Sequence, residues 1–280
     1  MLNQAHIRRR FERVANTFDD ADFVHAATRA GLLARIEPLL LEAKLVVDLG
    51  SATGAASQLL QKRFRAARII SVDLSHQMLM KGREKKSWYS STAFVQASAD
   101  ALPFPSECVD VIFSNLLLPW MSDHTKVFSE VARVLRKGGV FAFATLGPDS
   151  LQEIRRAWKQ IDSNPHVSSF IDMHDLGDGL VGAGLRDPVL DVDRLRVDYQ
   201  NSDRLFADLT AVGARNALRQ RANTLTGKQR YAAMVAALSG VDGKIGLDLE
   251  LVYGHCWGSG PKMDPANYRI DASRIPLRKA

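Results

Sequence analysis

Only two cysteines occur in the 280-residue sequence, Cys108 and Cys256, far apart and without a CxxC or His/Cys cluster around them. That excludes a disulfide framework and offers no metal-ligand set, so two buried free thiols and no metal are expected. No apolar stretch approaches the roughly 20 residues that a membrane-spanning helix requires. The N-terminus runs into Arg8, Arg9 and Arg10 without the apolar core of a signal peptide, which predicts a cytoplasmic protein with no membrane partner. Internal repeats, low-complexity tracts and long Pro/Gly/Ser linkers are missing too, so nothing divides the chain into independent modules.

What is present is a 46% hydrophobic composition, enough to bury a full α/β core, and an excess of base: 37 Lys and Arg against 31 Asp and Glu, for a net charge of +6. This balance favours an acidic partner, for which nucleic acid, an acidic carrier protein and anionic lipid all qualify. The basic residues are spread over 8–13, 81–86, 215–230 and 274–279, and solvated helix faces account for most of them.

Between residues 44 and 146, short β-rich runs alternate with helical patterns, the signature of a parallel sheet with crossover helices. The runs are Leu45 to Leu49, Arg68 to Val72, Thr92 to Gln96, Val109 to Ser114 and Val140 to Thr145. Helices are predicted over Ala55–Arg65, over Ser75–Lys85 with Ser75 as N-cap, and over Thr125–Leu135. An amphipathic N-terminal helix and a helix over Val24–Leu41 precede this core. Helices near Ser150–Ile161 and Asp172–Ala183, strands near Val189–Val197 and Leu247–Tyr253, and between those strands a basic helical insertion over Ser202–Leu238 follow it. The division expected is an N-terminal helical region over 1–43, the core over 44–146, the remaining strands with the insertion over 147–258, and a loosely ordered tail over 259–280.

The chemistry is concentrated at the ends of the first three strands. Asp48-Leu49-Gly50-Ser51-Ala52-Thr53-Gly54 forms a strand-to-helix turn whose glycines let the backbone turn sharply and approach a ligand without a Cβ in the way. Taken alone it is a weak signal, because a tight structural turn is the alternative reading. Asp73 ends the second strand, where a carboxylate can accept both hydroxyl hydrogens of a ribose, and Asp100 follows the third. Ligands bind at that edge of open α/β sheets.

In order, Asp48-x-Gly50-x-x-x-Gly54, Val72-Asp73-Leu74-Ser75, Asp100-Ala101-Leu102-Pro103-Phe104, Val109 to Ile112 and Leu135-Arg136-Lys137-Gly138-Gly139 resemble class I S-adenosylmethionine-dependent methyltransferases, over roughly residues 10–146. The resemblance implies a Rossmann-like seven-stranded sheet with its last strand antiparallel, and S-adenosylmethionine as cofactor. It places Gly50, Ser51, Ala52 and Gly54 around the methionine part, with Asp48 supporting the loop and the amino group. Asp73 would hold the ribose, and Asp100 with Ala101 the adenine, between Leu74, Met78 and Leu102; Met78 reads equally well as helix packing. Asn115, after the fourth strand, falls among the cofactor contacts. One departure is Ala52, where the family usually carries a third glycine; its Cβ would weaken cofactor binding more than it would alter the fold.

Flanking stretches narrow the resemblance. Arg10 to Asp19, Ser114 to Trp120, Gly147 to Leu151, Phe170 to Asp178 and Leu251 to His255 are similar to the malonyl-carrier-protein O-methyltransferases of biotin synthesis. This implies methylation of the free carboxylate of a malonyl thioester on acyl carrier protein. Separately, a monomer or weak dimer is expected. That carboxylate is already ionised at neutral pH, so no general base and no catalytic acid/base residue is expected, only positioning and exclusion of water. An arginine should neutralise the carboxylate. The segment from Arg13 to Phe23 is a candidate lid, and Phe18, Leu116 and Trp120 are candidate substrate-pocket residues, although helix packing explains Phe18 and an ordinary pocket wall Trp120. His174 and His255 read as structural. Arg215, Arg219, Arg221, Lys228 and Arg230 of the insertion form either a carrier-docking surface or a solvated face. The same flanks resemble the assembly factors of respiratory complex I, a sister group linked to arginine hydroxylation, and a non-catalytic partner-binding protein is a third reading. No Asn/Asp-Pro-Pro-Tyr-type motif or nucleic-acid module is present, so nucleic acid is not an expected partner.

Overall fold

A computed structural model describes residues 2–39, 41–88, 90–221, 226–240 and 242–259. Its seven strands are β1 (Leu45–Leu49), β2 (Arg68–Asp73), β3 (Ala93–Gln96), β4 (Val109–Asn115), β5 (Leu135–Leu146), β6 (Arg186–Tyr199) and β7 (Ile245–Trp257). They form one sheet in the order β3-β2-β1-β4-β5-β7-β6. The first five run parallel, while β7 is antiparallel to both of its neighbours, as the resemblance implied. The chain builds outward from β1 to β3 and then returns to place β4 on the other side of β1. This reversal opens a crevice beyond the carboxyl ends of β1 and β4.

Alternation along the buried strands assigns each side chain to one of two layers. Val47, Leu49, Ile112, Phe141 and Phe143 join Val127, Phe128 and Val131 of α5 (His124–Val134) and Leu176 and Leu180 of α7 (Met173–Gly182). On the opposite face Val46, Val111, Phe113 and Ala142 join Leu32 and Ile36 of α2 (Phe23–Ile36) and Leu60 of α3 (Ala55–Arg63). The sheet is therefore covered on both sides, which is why its central strands read as mostly apolar runs with single polar interruptions. Asp110 staples the lower edge: its carboxylate accepts the amides of Lys44 and Leu45 at 2.6 and 2.8 Å and pairs with Arg136 at 2.5 Å.

The described residues of the helical insertion form two helices, α8 (Ser202–Ala211) and α9 (Lys228–Leu238). The first ends where Gly213 takes φ +73° and its amide returns to the Thr210 carbonyl, a left-handed C-terminal cap. With α6 (Gln152–Lys159), both helices enclose a separate cluster of Ile154, Leu205, Met234, Leu238 and Ile245. At the other end of the chain, α1 (Gln4–Val14) begins with Asn3 accepting the His6 amide and packs against α4 (His76–Glu84). A short 3-10 turn, Phe18–Ala21, follows it and packs against α8.

Both thiols are free, but only Cys256 is fully buried; Cys108 is half-buried and its Sγ donates to the Pro105 carbonyl. Among the described residues no helix is long and apolar enough to cross a membrane, and no group of three His, Cys, Asp or Glu could hold a metal. The tail expected over 259–280, with Arg274 and Lys279, lies outside the described residues from position 260 onward.

Candidate active site

The loop after β1 is held by the end of β2. The amides of Gly50 and Ser51 both donate to the Val72 carbonyl, at 2.8 and 3.0 Å, and Gly54 closes the turn by donating to the Ser51 carbonyl. Gly50 sits at φ +78° with Leu117 directly beneath it, so a Cβ there would stand 3.1 Å from that side chain. Asp73 locks the loop from the other side: one carboxylate oxygen accepts the Ala52 amide at 2.9 Å and the other the Ser75 amide at 2.8 Å. Ser75 in turn caps α4 by accepting the Met78 amide.

A cavity opens at this point of the sheet. Leu49, Gly50, Ala52, Val72, Asp73, Leu74, Asn115, Leu116 and Leu117 line it from the strand ends. Gln4, Ile7, Phe11, Phe18 and His25 close it from the N-terminal elements, and Trp120 and Met121 from the short 3-10 turn Leu118–Trp120 and the residue after it. The roof is fastened. Thr53 Oγ1 donates to Asp19 at 2.6 Å, Lys85 pairs with the same carboxylate, and Phe11 meets Trp120 edge-on with centroids 5.1 Å apart. Phe18 is buried with its ring 4.9 Å from that of His25.

Of the residues singled out in the sequence, the structure brings Gly50, Ala52, Asp73, Leu74, Asn115, Phe18, Leu116 and Trp120 to the cavity wall. Others stand behind it. Asp48 is 1% exposed and accepts the Ser57 hydroxyl at 2.5 Å, Ser57 also bonding Ser71. Ser51 is buried with an unpartnered hydroxyl, and Gly54 forms the N-cap of α3 at φ +80°. Met78 is fully buried against Ala15, Phe18 and Ala21, which is the packing reading of that residue. Leu102 belongs to the main core. Asp100 is engaged by Gln4, which donates to it at 3.2 Å, and by Ser98, while Ala101 is exposed. His174 pairs with Asp172 at the start of α7 and His255 lies on β7; neither reaches the cavity.

Two features were not expected. Among the described lining residues there is no arginine or lysine, so the cation anticipated for a substrate carboxylate is missing from the wall. In its place stand His25 and Asn115. Asn115 Nδ2 donates to the His25 carbonyl at 3.0 Å, which leaves Asn115 Oδ1 and His25 Nδ1 as buried polar atoms without a partner. Burial, aided by Arg29, pushes the His25 pKa down to about 4, so the imidazole is neutral at physiological pH. No local signal marks His25 in the sequence; it is one more residue on a helix until Asn115, 90 positions on, comes to lie beside it.

Burial also shapes the two acids. It raises Asp73 to about 6 against the pull of three backbone amides, and raises Asp48 to about 7 with help from the charge of Asp73. Ala52 adopts φ +45°, a left-handed conformation that costs a non-glycine residue about 1 kcal/mol, although its methyl packs on the Phe18 cluster. Ala52→Gly is therefore expected to raise stability by up to about 1 kcal/mol, a gain limited by the greater freedom of glycine in the unfolded chain. Urea denaturation checks this; a loss of stability would show that the methyl contact outweighs the strain.

The doubly covered sheet, the glycine turn and the acid at the end of β2 are those of a methyltransferase domain, and the family model of that description matches residues 47–143. Solved structures share the fold: the YcgJ protein of Bacillus subtilis, with a TM-score of 0.59 and 17% identity over 82% of this chain and 98% of that one, and an S-adenosylmethionine-dependent methyltransferase of Thermotoga maritima, with a TM-score of 0.55 and 18% identity over 90% and 99%. Full-length relatives are more specific. The malonyl-[acyl-carrier protein] O-methyltransferase of Xylella fastidiosa is 37% identical over all of this chain and 98% of its own length, and that of Halorhodospira halophila 35% over 99% and 97%. The chain belongs to this family of O-methyltransferases.

Proposed function

We propose that the chain methylates the free carboxylate of a malonyl group carried on an acyl carrier protein, with S-adenosylmethionine as donor. The observation that carries this reading is full-length similarity to enzymes of that name, joined to an apolar cavity at the sheet's switch point in which Asp73 is the only Asp, Glu, Lys or Arg among the described lining residues. The methyl ester would mask a negative charge, so that the acyl chain can be extended as a neutral group on the route to biotin.

The residues present fit the donor. Asp73 presents a carboxylate at the end of β2, Gly50 leaves the floor free of a side chain, and Asn115 Oδ1, on the wall, is buried without a partner, which a polar ligand could provide. Asp73 would take the ribose hydroxyls, Asn115 the polar groups of the methionine part, and Leu74 the adenine face. Asp100, held by Gln4 and Ser98, would reach the adenine amine only through its remaining acceptor capacity.

S-adenosylmethionine supplies a methyl group on a positively charged sulfur, which a carboxylate can accept with no proton to move. Opposite charges disappear in such a transfer, so a low-dielectric cavity favours it and a fixed cation on the carboxylate would hold back the nucleophile. Ile7, Phe11, Leu116, Trp120 and Met121 provide that environment and exclude water. The absence of Arg and Lys from the described wall follows the same logic, with the neutral imidazole of His25 left as an uncharged polar contact.

Mass spectrometry of malonyl-carrier protein incubated with the chain and S-adenosylmethionine tests the proposal. The expected result is a gain of one methylene mass, about 14 daltons, on malonyl but not on acetyl carrier, because only the malonyl group has a free carboxylate. No gain, with cofactor binding seen by calorimetry, would move the reading to the hydroxylase-like or non-catalytic alternatives.

A further inference from the structure

The helix that roofs the cavity carries charge on its outer side. While Gln4, Ile7 and Phe11 of α1 face the cavity, Arg8, Arg9 and Arg13 are exposed and Arg10 is half-buried. Arg10 reaches across to donate to the carbonyls of Arg215 and Asn216, Arg221 donates to Asn216 as well, and Leu2 forms a bridge with Leu218. Two basic segments about 200 positions apart are thus joined into one surface. Its density is felt by its own members: burial first, then Arg9, Arg221, Arg10 and Arg219, lower the pKa of His6. Among the described residues no carboxylate pairs with Arg9, Arg10, Arg215, Arg219 or Arg221, whereas Arg230 of the same insertion pairs with Asp162. Like charges held together without counter-charges cost stability, and an anionic partner would repay that cost on binding.

We propose that this surface, the outer side of α1 together with residues 215–221, is the docking face for an acidic carrier protein. The inference rests on the proposed carrier-bound substrate. A tethered acyl group can enter only if its carrier lands beside the cavity, and α1 is both the wall of that cavity and the edge of the basic surface. The docking face thereby differs from the insertion alone: Arg230 drops out and the N-terminal helix comes in.

The test uses the full chain carrying Arg9→Glu, Arg215→Glu and Arg219→Glu, three exposed positions outside the cavity wall. Binding of fluorescent malonyl-carrier protein by anisotropy is expected to weaken about 10- to 100-fold, with a loss of salt dependence. S-adenosylmethionine affinity, and turnover of malonyl-coenzyme A as an untethered thioester, should be unchanged. Equal affinity of the triple variant and the parent for the carrier would overturn the inference, as would tighter binding of the parent to RNA or anionic vesicles than to the carrier. If the parent methylates neither thioester, the proposed reaction fails on its own. Carrier binding that is lost in the triple variant would still support the docking face, and no carrier binding by the parent would sink it.

Discussion

Replacing Asp73 by alanine is expected to weaken S-adenosylmethionine binding about 100-fold while leaving the sheet folded. A hydrogen bond to a charged acceptor is worth roughly 1.5 kcal/mol at the low end of its range, and two ribose hydroxyls would make two. About 3 kcal/mol corresponds to two powers of ten in affinity. The same carboxylate accepts the amides of Ala52 and Ser75, so the variant should also lose some thermal stability through the loop. Titration calorimetry separates these effects, because loosening of the turn alone lowers the midpoint of unfolding without removing two powers of ten in affinity. A pH series adds a second check. With burial holding Asp73 near 6, the acceptor becomes protonated as pH falls through that value, so the parent's affinity should drop below pH 6 and the variant's should not change on that account. Unchanged affinity of Asp73→Ala at pH 8 would place the ribose elsewhere.

How much of this was legible in the sequence depends on whether the determinants are local. β1, β2 and β4 announce themselves because strands buried on both faces are mostly apolar, and they run into Gly50, Asp73 and Asn115 where the chain turns. β6 is harder to read and runs from Arg186 to Tyr199, beyond the predicted Val189–Val197. As the edge strand it exposes alternate charged residues such as Asp191, Asp193 and Arg196, which mask the apolar signal. The insertion reads as helical in the sequence without internal bounds, and Gly213 is what ends α8.

Within the candidate site, Gly50, Ala52 and Asp73, read from a motif at the strand ends, line the cavity. Contacts between residues far apart in sequence were not legible there. Gln4 donates to Asp100 across 96 positions, and His25 meets Asn115 and Phe18 only in the folded chain. An arginine is expected from the charge of a free carboxylate; none stands among the described residues of the cavity wall, and the proposed transfer removes that charge rather than holding it.

Asp48 offers the other large effect, this time on stability. Its carboxyl is enclosed behind the loop, where Ser57 donates to it at 2.5 Å, and burial with the charge of Asp73 carries its pKa from 3.8 to about 7. The native state therefore holds a proton over the window from about 4 to 7 that the unfolded chain has released. Stability of the free protein is full below that window and falls as pH rises through it, with Asp73 adding the same sign up to about 6. Asp48→Asn keeps an oxygen for Ser57 but removes the charge, so it should be more stable than the parent at pH 8, by on the order of a few kcal/mol, with the difference shrinking toward pH 4. Chemical denaturation at pH 5, 6, 7 and 8 checks this, and parallel curves for the two proteins would show that Asp48 does not carry the buried proton. Cofactor binding should report the same group from the opposite side. A positively charged ligand bound against the loop favours the ionised form, so the parent should release a proton near pH 7, seen as a dependence of the binding heat on buffer, and Asp48→Asn should release less.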